Sequence, residues 1–216
     1  MKNGAIFDMD GVLFDTERLY RESWMIKAEE FGVTPDPEFP KAVCGSSGEM
    51  MLNIIRKYYP TVDPQALTDA CVERVHECLA VEVPEKPGIR EILSYLKENG
   101  VKIAVASSSA METIVSNLER TGIRDYFDVI TSGQEVENGK PHPDIFLLAA
   151  ERMGLKSEEC YVFEDGRNGI HAGAAAGCTT IMIPDLTPPD EELRSLTEGI
   201  YDSLLDARDA IKRGEI

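Results

Sequence analysis

The sequence predicts an α/β fold, in which a parallel sheet with crossover helices is interrupted by one all-helical region. Short apolar runs of strand length recur along the chain, and longer amphipathic patterns lie between them. Strands that alternate with helices in this way form a parallel sheet. Residues 15–83 contain no such strand runs, and amphipathic helical patterns occupy them instead.

The elements follow in chain order. The predicted strands cover residues 5–7, 101–106, 128–131, 161–163 and 179–183. The helices predicted between them cover residues 89–98, 111–120, 145–153 and 168–176. In the interrupting region, helices are predicted over residues 16–31, 47–59 and 64–79, with proline-containing breaks at 32–40 and 60–63.

This pattern divides the chain into two predicted domains. Residues 1–14 and 84–216 form the sheet domain, and residues 15–83 form a helical domain inserted into it. The two linkers, at 14–16 and 83–87, are expected to lie side by side and to form a hinge, because lid motions are usually accommodated at such places.

The first loop carries two carboxylates, in the run Asp8-Met9-Asp10-Gly11-Val12 that directly follows the first strand. Side chains two residues apart on an extended chain share a face, which sets the two carboxylates about 6–7 Å apart. Like charges this close resist joint ionisation unless a cation lies between them or one keeps its proton. Mg²⁺ would satisfy their oxygens, and one carboxylate would serve as nucleophile and the other as proton donor. The alternative is a loop with two solvated acids.

Further polar residues follow the other predicted strands. Ser107 and Ser108 follow the second strand, Lys140 lies in the loop before a helix, and Glu164 and Asp165 end the fourth strand. Ligands collect at the carboxyl ends of parallel strands, so we expect these side chains to meet there. The structural alternatives are a helix cap for the serines and for Glu164-Asp165, and a solvated surface position for the lysine.

Taken together, these motifs resemble a known family. Asp8-x-Asp10-Gly-Val, Ser107, Lys140-Pro141 and Glu164-Asp165, in this order, are similar to the four motifs of the haloacid dehalogenase superfamily. Within it, the chain resembles the phosphatase and β-phosphoglucomutase branch. The resemblance implies a Rossmann-like core with a helical cap inserted after the first motif.

The resemblance also implies a catalytic role for each motif. Asp8 would be the nucleophile that takes the phosphoryl group, and Asp10 would be the general acid and base. Ser107, Ser108 and Lys140 would hold the phosphate.

The same resemblance implies a Mg²⁺ site. Asp8, Asp165 and the main-chain carbonyl of Asp10 would bind the ion, and Glu164 would be an outer-sphere ligand. Oxygen ligands without histidine or cysteine argue against Zn²⁺.

Two features of the helical region are candidate determinants of the substrate. The first is a stripe at helical spacing formed by Tyr20, Trp24, Ala28 and Phe31. Such a stripe either forms the core of the helical domain or, at Tyr20 and Trp24 near the hinge, contacts substrate. The second is the loop with Ser46 and Ser47 between two glycines, which resembles the family's substrate-specificity loop and is otherwise a flexible connection.

From this resemblance we expect a Mg²⁺-dependent phosphatase that hydrolyses a small sugar- or polyol-like phosphate through an aspartyl-phosphate. The alternative is a β-phosphoglucomutase-type mutase. Mutases usually carry Thr-Ala-x-x-His after the first motif, whereas Glu17 and Tyr20 hold the alanine and histidine positions here. Gly48 stands where mutases present a phosphate-binding arginine. A non-catalytic binding protein on the same scaffold is less favoured, because every motif position is retained.

Composition limits the partners and the compartment. A net charge of −17 over 216 residues argues against nucleic acid and anionic membrane surfaces. Because residues 1–4 lead directly into the first predicted strand, we expect no signal peptide, and no apolar run approaches the ~20 residues that cross a bilayer. Five cysteines without a Cys-x-x-Cys pair favour a reducing cytoplasm over a disulfide framework. We expect a cytoplasmic monomer whose partner is a small phosphorylated metabolite.

Overall fold

The computed structural model describes residues 1–44, 46 and 48–216, and it divides into two compact units. The core unit consists of residues 1–14 and 85–216, and the helical unit of residues 15–84. In the core unit, Phe14 forms an antiparallel bridge with Glu85. In the helical unit, the Asp15 amide donates to the carbonyl of Pro84 at 2.9 Å.

The described residues of the helical unit form four helices. These are α1 (Thr16–Glu30), α2 (Phe39–Val43), α3 (Gly48–Tyr58) and α4 (Pro64–Val81). Helix α2 lies partly in the segment that the sequence predicted to be a break. The reason is that Pro40 occupies the first turn of α2, where a missing amide hydrogen leaves no helical hydrogen bond unmade.

Aromatic side chains form the core of the helical unit. The Trp24 and Phe39 rings meet edge to face, with centroids 5.4 Å apart, and the Trp24 side chain is only 3% exposed. Ala28 is fully buried in the same cluster. Of the two alternatives that the stripe left open, packing in the core of the helical unit is the one that the structure shows for Trp24, and a contact with substrate stays a prediction.

The core unit contains a parallel sheet of six strands among the described residues. They are β1 (Gly4–Phe7), β2 (Lys102–Ser107), β3 (Val129–Ser132), β4 (Cys160–Glu164), β5 (Thr179–Met182) and β6 (Gly199–Ile200). Their order across the sheet is β3-β2-β1-β4-β5-β6, and every pair is parallel. The predicted α/β class is confirmed. Strand β6 was not predicted, because its two residues form no apolar run.

Helices precede or follow the strands β2 to β6 along the chain. They are α5 (Ile89–Glu98), α6 (Met111–Arg120), α7 (Asp144–Met153), α8 (Arg167–Ala175), α9 (Glu191–Leu196) and α10 (Leu204–Arg213). The sequence predicted the first four to within a residue or so at each end and missed the last two. None of the described helices is long and apolar enough to cross a membrane.

The strand order places a crevice at the carboxyl end of β1. From β1 the chain builds outward through β2 and β3, and it then returns to place β4 on the other side of β1. Ligands of open α/β sheets bind where the strand order reverses in this way. Strands β1 and β4 are fully buried, and stacking of Phe7 on Phe163, with centroids 4.4 Å apart, holds them together.

Candidate active site

Asp8 lies at the reversal point of the sheet. Its amide extends the ladder between β1 and β4 by donating to the Phe163 carbonyl at 3.0 Å. Its side chain is only 9% exposed, and Oδ1 accepts from Lys140 Nζ at 2.6 Å. The alternative of two solvated acids in the first loop is therefore wrong for Asp8.

Lys140 is buried among carboxylates. Its side chain is 8% exposed, and the Phe146 ring centroid lies 4.9 Å from Nζ. Nζ donates to Asp8 Oδ1 at 2.6 Å, to Glu164 Oε1 at 2.6 Å and to the Ala106 carbonyl at 3.3 Å, which uses the three donors of an ammonium group. The alternative of a solvated surface lysine is wrong.

The neighbouring carboxylates keep the Lys140 side chain protonated. Burial by itself lowers the pKa of Lys140, but Asp8 and Glu164 outweigh it and hold the pKa above its usual value. For Asp8, burial raises the pKa of the carboxyl, and Glu164 and Asp10 raise it further while Lys140 opposes them. One ammonium therefore faces more negative charge than it can balance, and a second cation would restore the balance.

Glu164 links β4 to helix α8. Its Oε2 accepts from the amides of Asp165 at 3.0 Å and Gly166 at 3.2 Å. A Cβ at Gly169 would lie 1.8 Å from Glu164 Oε1, so the carboxylate occupies space that only a glycine leaves open. The sequence signal for this contact was a glycine inside a predicted helix, which usually marks a packing constraint.

Three carboxylates form a group that suits a hard cation. One oxygen each of Asp8, Glu164 and Asp165 lie within 4.8 Å of one another, and all three residues are buried. Gly11 lies against this group with φ +87°, and a Cβ there would lie 2.5 Å from Asp165 Oδ2. Buried oxygen donors without nitrogen or sulfur fit Mg²⁺.

Asp10 has a different environment. Its Oδ2 accepts from Ser107 Oγ at 3.3 Å and from Ser109 Oγ at 2.9 Å. Ser107 is fully buried, and its Oγ also accepts from the Ser109 amide at 3.1 Å. The loop after β2 thus meets the loop after β1 through hydroxyl groups.

The sequence profile of the haloacid dehalogenase-like hydrolases matches residues 5–183. The chain belongs to this family. Every motif that carried the resemblance lies within the matched span.

Relatives of this hydrolase are known. A phosphorylated carbohydrates phosphatase of Thermotoga maritima is 36% identical over 181 residues, which cover 82% of each chain. A fructose-1-phosphate phosphatase of Escherichia coli is 34% identical over 182 residues, or 83% of this chain and 95% of the relative. The structure of a β-phosphoglucomutase from Clostridium difficile superposes with a TM-score of 0.82 at 25% identity, and the match covers 100% of this chain and 97% of that one.

The structure of the hydrolase thus brings together most of the residues predicted for its core. Asp8, Lys140, Glu164 and Asp165 meet at the ends of β1 and β4, and Asp10 meets Ser107 beside them. Ser108 is exposed, and its phosphate contact stays a prediction.

Sequence reasoning missed three contributors. Ser109, Ser132 and Gly169 were not singled out. Ser132 donates to the Ser109 carbonyl at 2.7 Å. The signal that could have identified Ser132 is its position: it ends β3 as Ser107 ends β2, and the two residues are paired in the sheet.

The remaining candidates lie in the helical unit of the hydrolase. Tyr20 is partly buried against the aromatic core. Ser46 Oγ donates to the Val43 carbonyl at 2.6 Å. Ser47 lies outside the described residues. The substrate-selecting roles of these three residues stay predictions.

Proposed function

We propose that this hydrolase is a Mg²⁺-dependent phosphatase that acts on a sugar- or polyol-like monophosphate through an aspartyl-phosphate. The observation that carries the proposal is the buried Asp8–Lys140 pair beside Asp165, with a second, differently held carboxylate, Asp10, in the same loop. A nucleophile and a separate proton donor are the two groups that the reaction needs. Relatives named as phosphatases of phosphorylated carbohydrates and of fructose 1-phosphate support the substrate class.

The proposed metal ligands are Asp8, Asp165 and the main-chain carbonyl of Asp10, with Glu164 as an outer-sphere ligand. Glu164 supports this division of roles, because both of its oxygens already accept hydrogen bonds from Lys140 and from main-chain amides. When bound, Mg²⁺ supplies positive charge against the phosphoryl oxygens.

The first chemical step transfers the phosphoryl group to the enzyme. Lys140 binds a phosphoryl oxygen, and its contact with the Ala106 carbonyl, the longest of its three at 3.3 Å, is the one most easily exchanged. Ser107 and Ser108 complete the phosphate site. An Asp8 oxygen forms a bond to phosphorus while the bond to the ester oxygen breaks, and Asp10 gives its proton to the departing alcohol.

The second step returns the enzyme to its starting state. Asp10, now ionised, takes a proton from water, and the water oxygen attacks phosphorus. The bond to Asp8 breaks, inorganic phosphate leaves, and Asp10 holds the proton again. In this proposal the helical unit is a cap that admits substrate and selects it.

The mutase alternative has one observation in its favour, the likeness to a β-phosphoglucomutase over the whole chain. Three positions of this chain disfavour it. Glu17 and Tyr20 replace the alanine and histidine of the mutase pattern, and Gly48 begins α3 without a side chain to clamp a second phosphate. Arg56, the nearest candidate substitute, pairs with Glu49 at 2.6 Å on an exposed helix face. Without a clamp, the intermediate leaves and water attacks instead.

Phosphate release from p-nitrophenyl phosphate and from a panel of sugar and polyol monophosphates tests the proposal. We expect turnover with Mg²⁺, loss of turnover in EDTA and recovery with excess Mg²⁺. Asp8→Asn should be inactive, and the control Asp202→Asn, at an exposed position, should retain full activity. Turnover in EDTA, or an active Asp8→Asn variant, contradicts the proposal.

A second assay separates phosphatase from mutase. The enzyme is given β-glucose 1-phosphate with a bisphosphate primer, and both products are followed. We expect inorganic phosphate with little glucose 6-phosphate. Fast formation of glucose 6-phosphate without phosphate release identifies a mutase.

We also propose that the enzyme is a cytoplasmic monomer. Its five cysteines are free thiols, which fits a reducing compartment. Sedimentation of the purified protein tests the monomer, since a concentration-dependent increase in mass contradicts it.

A further inference from the structure

Asp10 is restrained by two hydroxyl groups that bind the same carboxylate oxygen. Ser109 Oγ lies 2.9 Å from Asp10 Oδ2, and Ser107 Oγ lies 3.3 Å from it. The Ser109 contact is therefore the shorter and stronger of the two. Resemblance to the family gave Ser107 a place in the phosphate site but gave Ser109 no role.

Ser109 is itself held on its main-chain atoms. Its amide donates to Ser107 Oγ at 3.1 Å, and its carbonyl accepts from Ser132 Oγ at 2.7 Å. The Ser132 amide donates to Glu135 Oε2 at 2.9 Å, and Glu135 forms two hydrogen bonds with Arg152, at 2.9 and 3.0 Å. A continuous set of hydrogen bonds thus runs from helix α7 through the loop after β3 to Asp10.

We propose that Ser109 is a positioning residue for Asp10, with Ser132 as its support. The Ser109 hydroxyl holds Oδ2 and so fixes the orientation from which the Asp10 carboxyl gives a proton to the leaving alcohol and later takes one from water. This inference rests on the proposed function, in which Asp10 is the general acid and base. Proton transfer in the transition state depends on such placement, because a misplaced acid loses its hydrogen bond to the leaving oxygen.

Leaving groups of different basicity reveal this role. p-Nitrophenolate leaves with little need of a proton, whereas a sugar alkoxide needs one. We expect Ser109→Ala to lower kcat/KM about 10-fold on the best alkyl phosphate of the panel. Because kcat/KM reports only the steps up to departure of the leaving group, kcat/KM on p-nitrophenyl phosphate should change less than about twofold, whatever happens to hydrolysis of the aspartyl-phosphate.

Three matched variants accompany this measurement. Ser109→Thr retains the hydroxyl and should restore the rate on the alkyl phosphate. Ser195→Ala removes an exposed hydroxyl on α9, which donates to the Glu192 carbonyl, and should change neither rate. Ser132→Ala removes the support without touching Asp10, and should give the leaving-group pattern of Ser109→Ala at about threefold.

The double variant Asp10→Asn/Ser109→Ala decides whether Ser109 acts through Asp10. If it does, Ser109→Ala costs less than about twofold further once the acid is gone. An equal loss on both substrates in Ser109→Ala or Ser132→Ala overturns the inference, as does a further tenfold loss in the double variant. An unsubstituted enzyme that releases no phosphate from either substrate instead refutes the proposed function, and the inference with it.

Discussion

Asp8 and Asp10 stand two residues apart, yet the structure holds them by different chemistry. At the ends of β1 and β4, Asp8 pairs with the buried ammonium of Lys140 at 2.6 Å. At the end of β2 and in the loop that follows it, Asp10 meets the neutral hydroxyls of Ser107 and Ser109. An ammonium group only donates, so Lys140 opposes the rise in the pKa of Asp8 that burial causes, whereas a hydroxyl both donates and accepts hydrogen bonds.

This difference matches the two roles that the proposed reaction requires. A nucleophile must stay ionised through substrate binding, and a general acid must cycle between its two protonation states. The sequence presents both as aspartates of one loop, and their neighbours in the fold distinguish them. Variants at each position therefore test the comparison directly.

Asp8→Asn should give the largest effect. The amide cannot form the aspartyl-phosphate, so we expect turnover to fall at least about 10⁴-fold on every substrate, whatever its leaving group. Steady-state phosphate release measures this loss, and acid quenching with radiolabelled substrate tests for the covalent intermediate. Labelled protein from the Asp8→Asn variant would assign the nucleophile to another residue.

Asp10→Asn should give a loss that depends on the leaving group. Without proton transfer to the leaving group, kcat/KM for alkyl phosphates should fall about 10²–10⁴-fold, and kcat/KM for p-nitrophenyl phosphate, which reports only the steps up to departure of p-nitrophenolate, should be much less affected. A plot of kcat/KM against leaving-group pKa for the variant and the unsubstituted enzyme checks this. Parallel plots would mean that Asp10 is not the acid.

Lys140→Met should lower the free energy of unfolding, because Lys140 is the cation that neutralises the carboxylates around Asp8. Removing the ammonium leaves the buried carboxylates of Asp8 and Glu164 facing each other, which costs about 3–5 kcal/mol of unfolding free energy. Urea titration in EDTA measures this, with Lys212→Met at an exposed position as the control. Equal stability of the two variants would show that the carboxylates are not both charged in the absence of metal.

Gly169→Ala should have the smallest effect of the four variants, a loss of Mg²⁺ affinity that arises at Glu164, next to Asp8 and Lys140. The added methyl group would lie 1.8 Å from Glu164 Oε1 and must displace that carboxylate from Lys140. Displacing a residue that supports a metal site typically weakens metal affinity about 10-fold or more, which a Mg²⁺ titration of activity measures. Gly139→Ala, where the new Cβ meets nothing within 4 Å, should leave the affinity unchanged.

The sequence by itself determined the sheet class and the placement of the motifs. Short apolar runs indicate strands that are buried on both faces, because helices cover each side of a parallel sheet. Polar residues directly after such runs must lie at the carboxyl edge, which is why Asp8, Glu164 and Asp165 could be brought together in advance.

Periodicity could not resolve elements that carry little burial signal. The two residues of β6 are too short for a pattern, and α2 begins in a stretch rich in prolines. The stripe on α1 was ambiguous for a similar reason. Helical spacing shows that Trp24 lies on the apolar face of α1, but it does not show what that face contacts. The packing of Phe39 against Trp24 shows that the face contacts the core of the helical unit.

Only the tertiary structure decided which polar groups pair. Lys140 is 132 residues from Asp8 and 24 from Glu164, and no local pattern records a partner at such distances. Ser109 reaches Asp10 across 99 residues, while its neighbour Ser108 is exposed. The choice between the two serines depends on the turn after β2 and on the Ser132 hydroxyl of the next strand. The sequence therefore determined which chemical groups the site contains and at which edge of the sheet they lie. The pairing of the strands determined which of these groups contact each other.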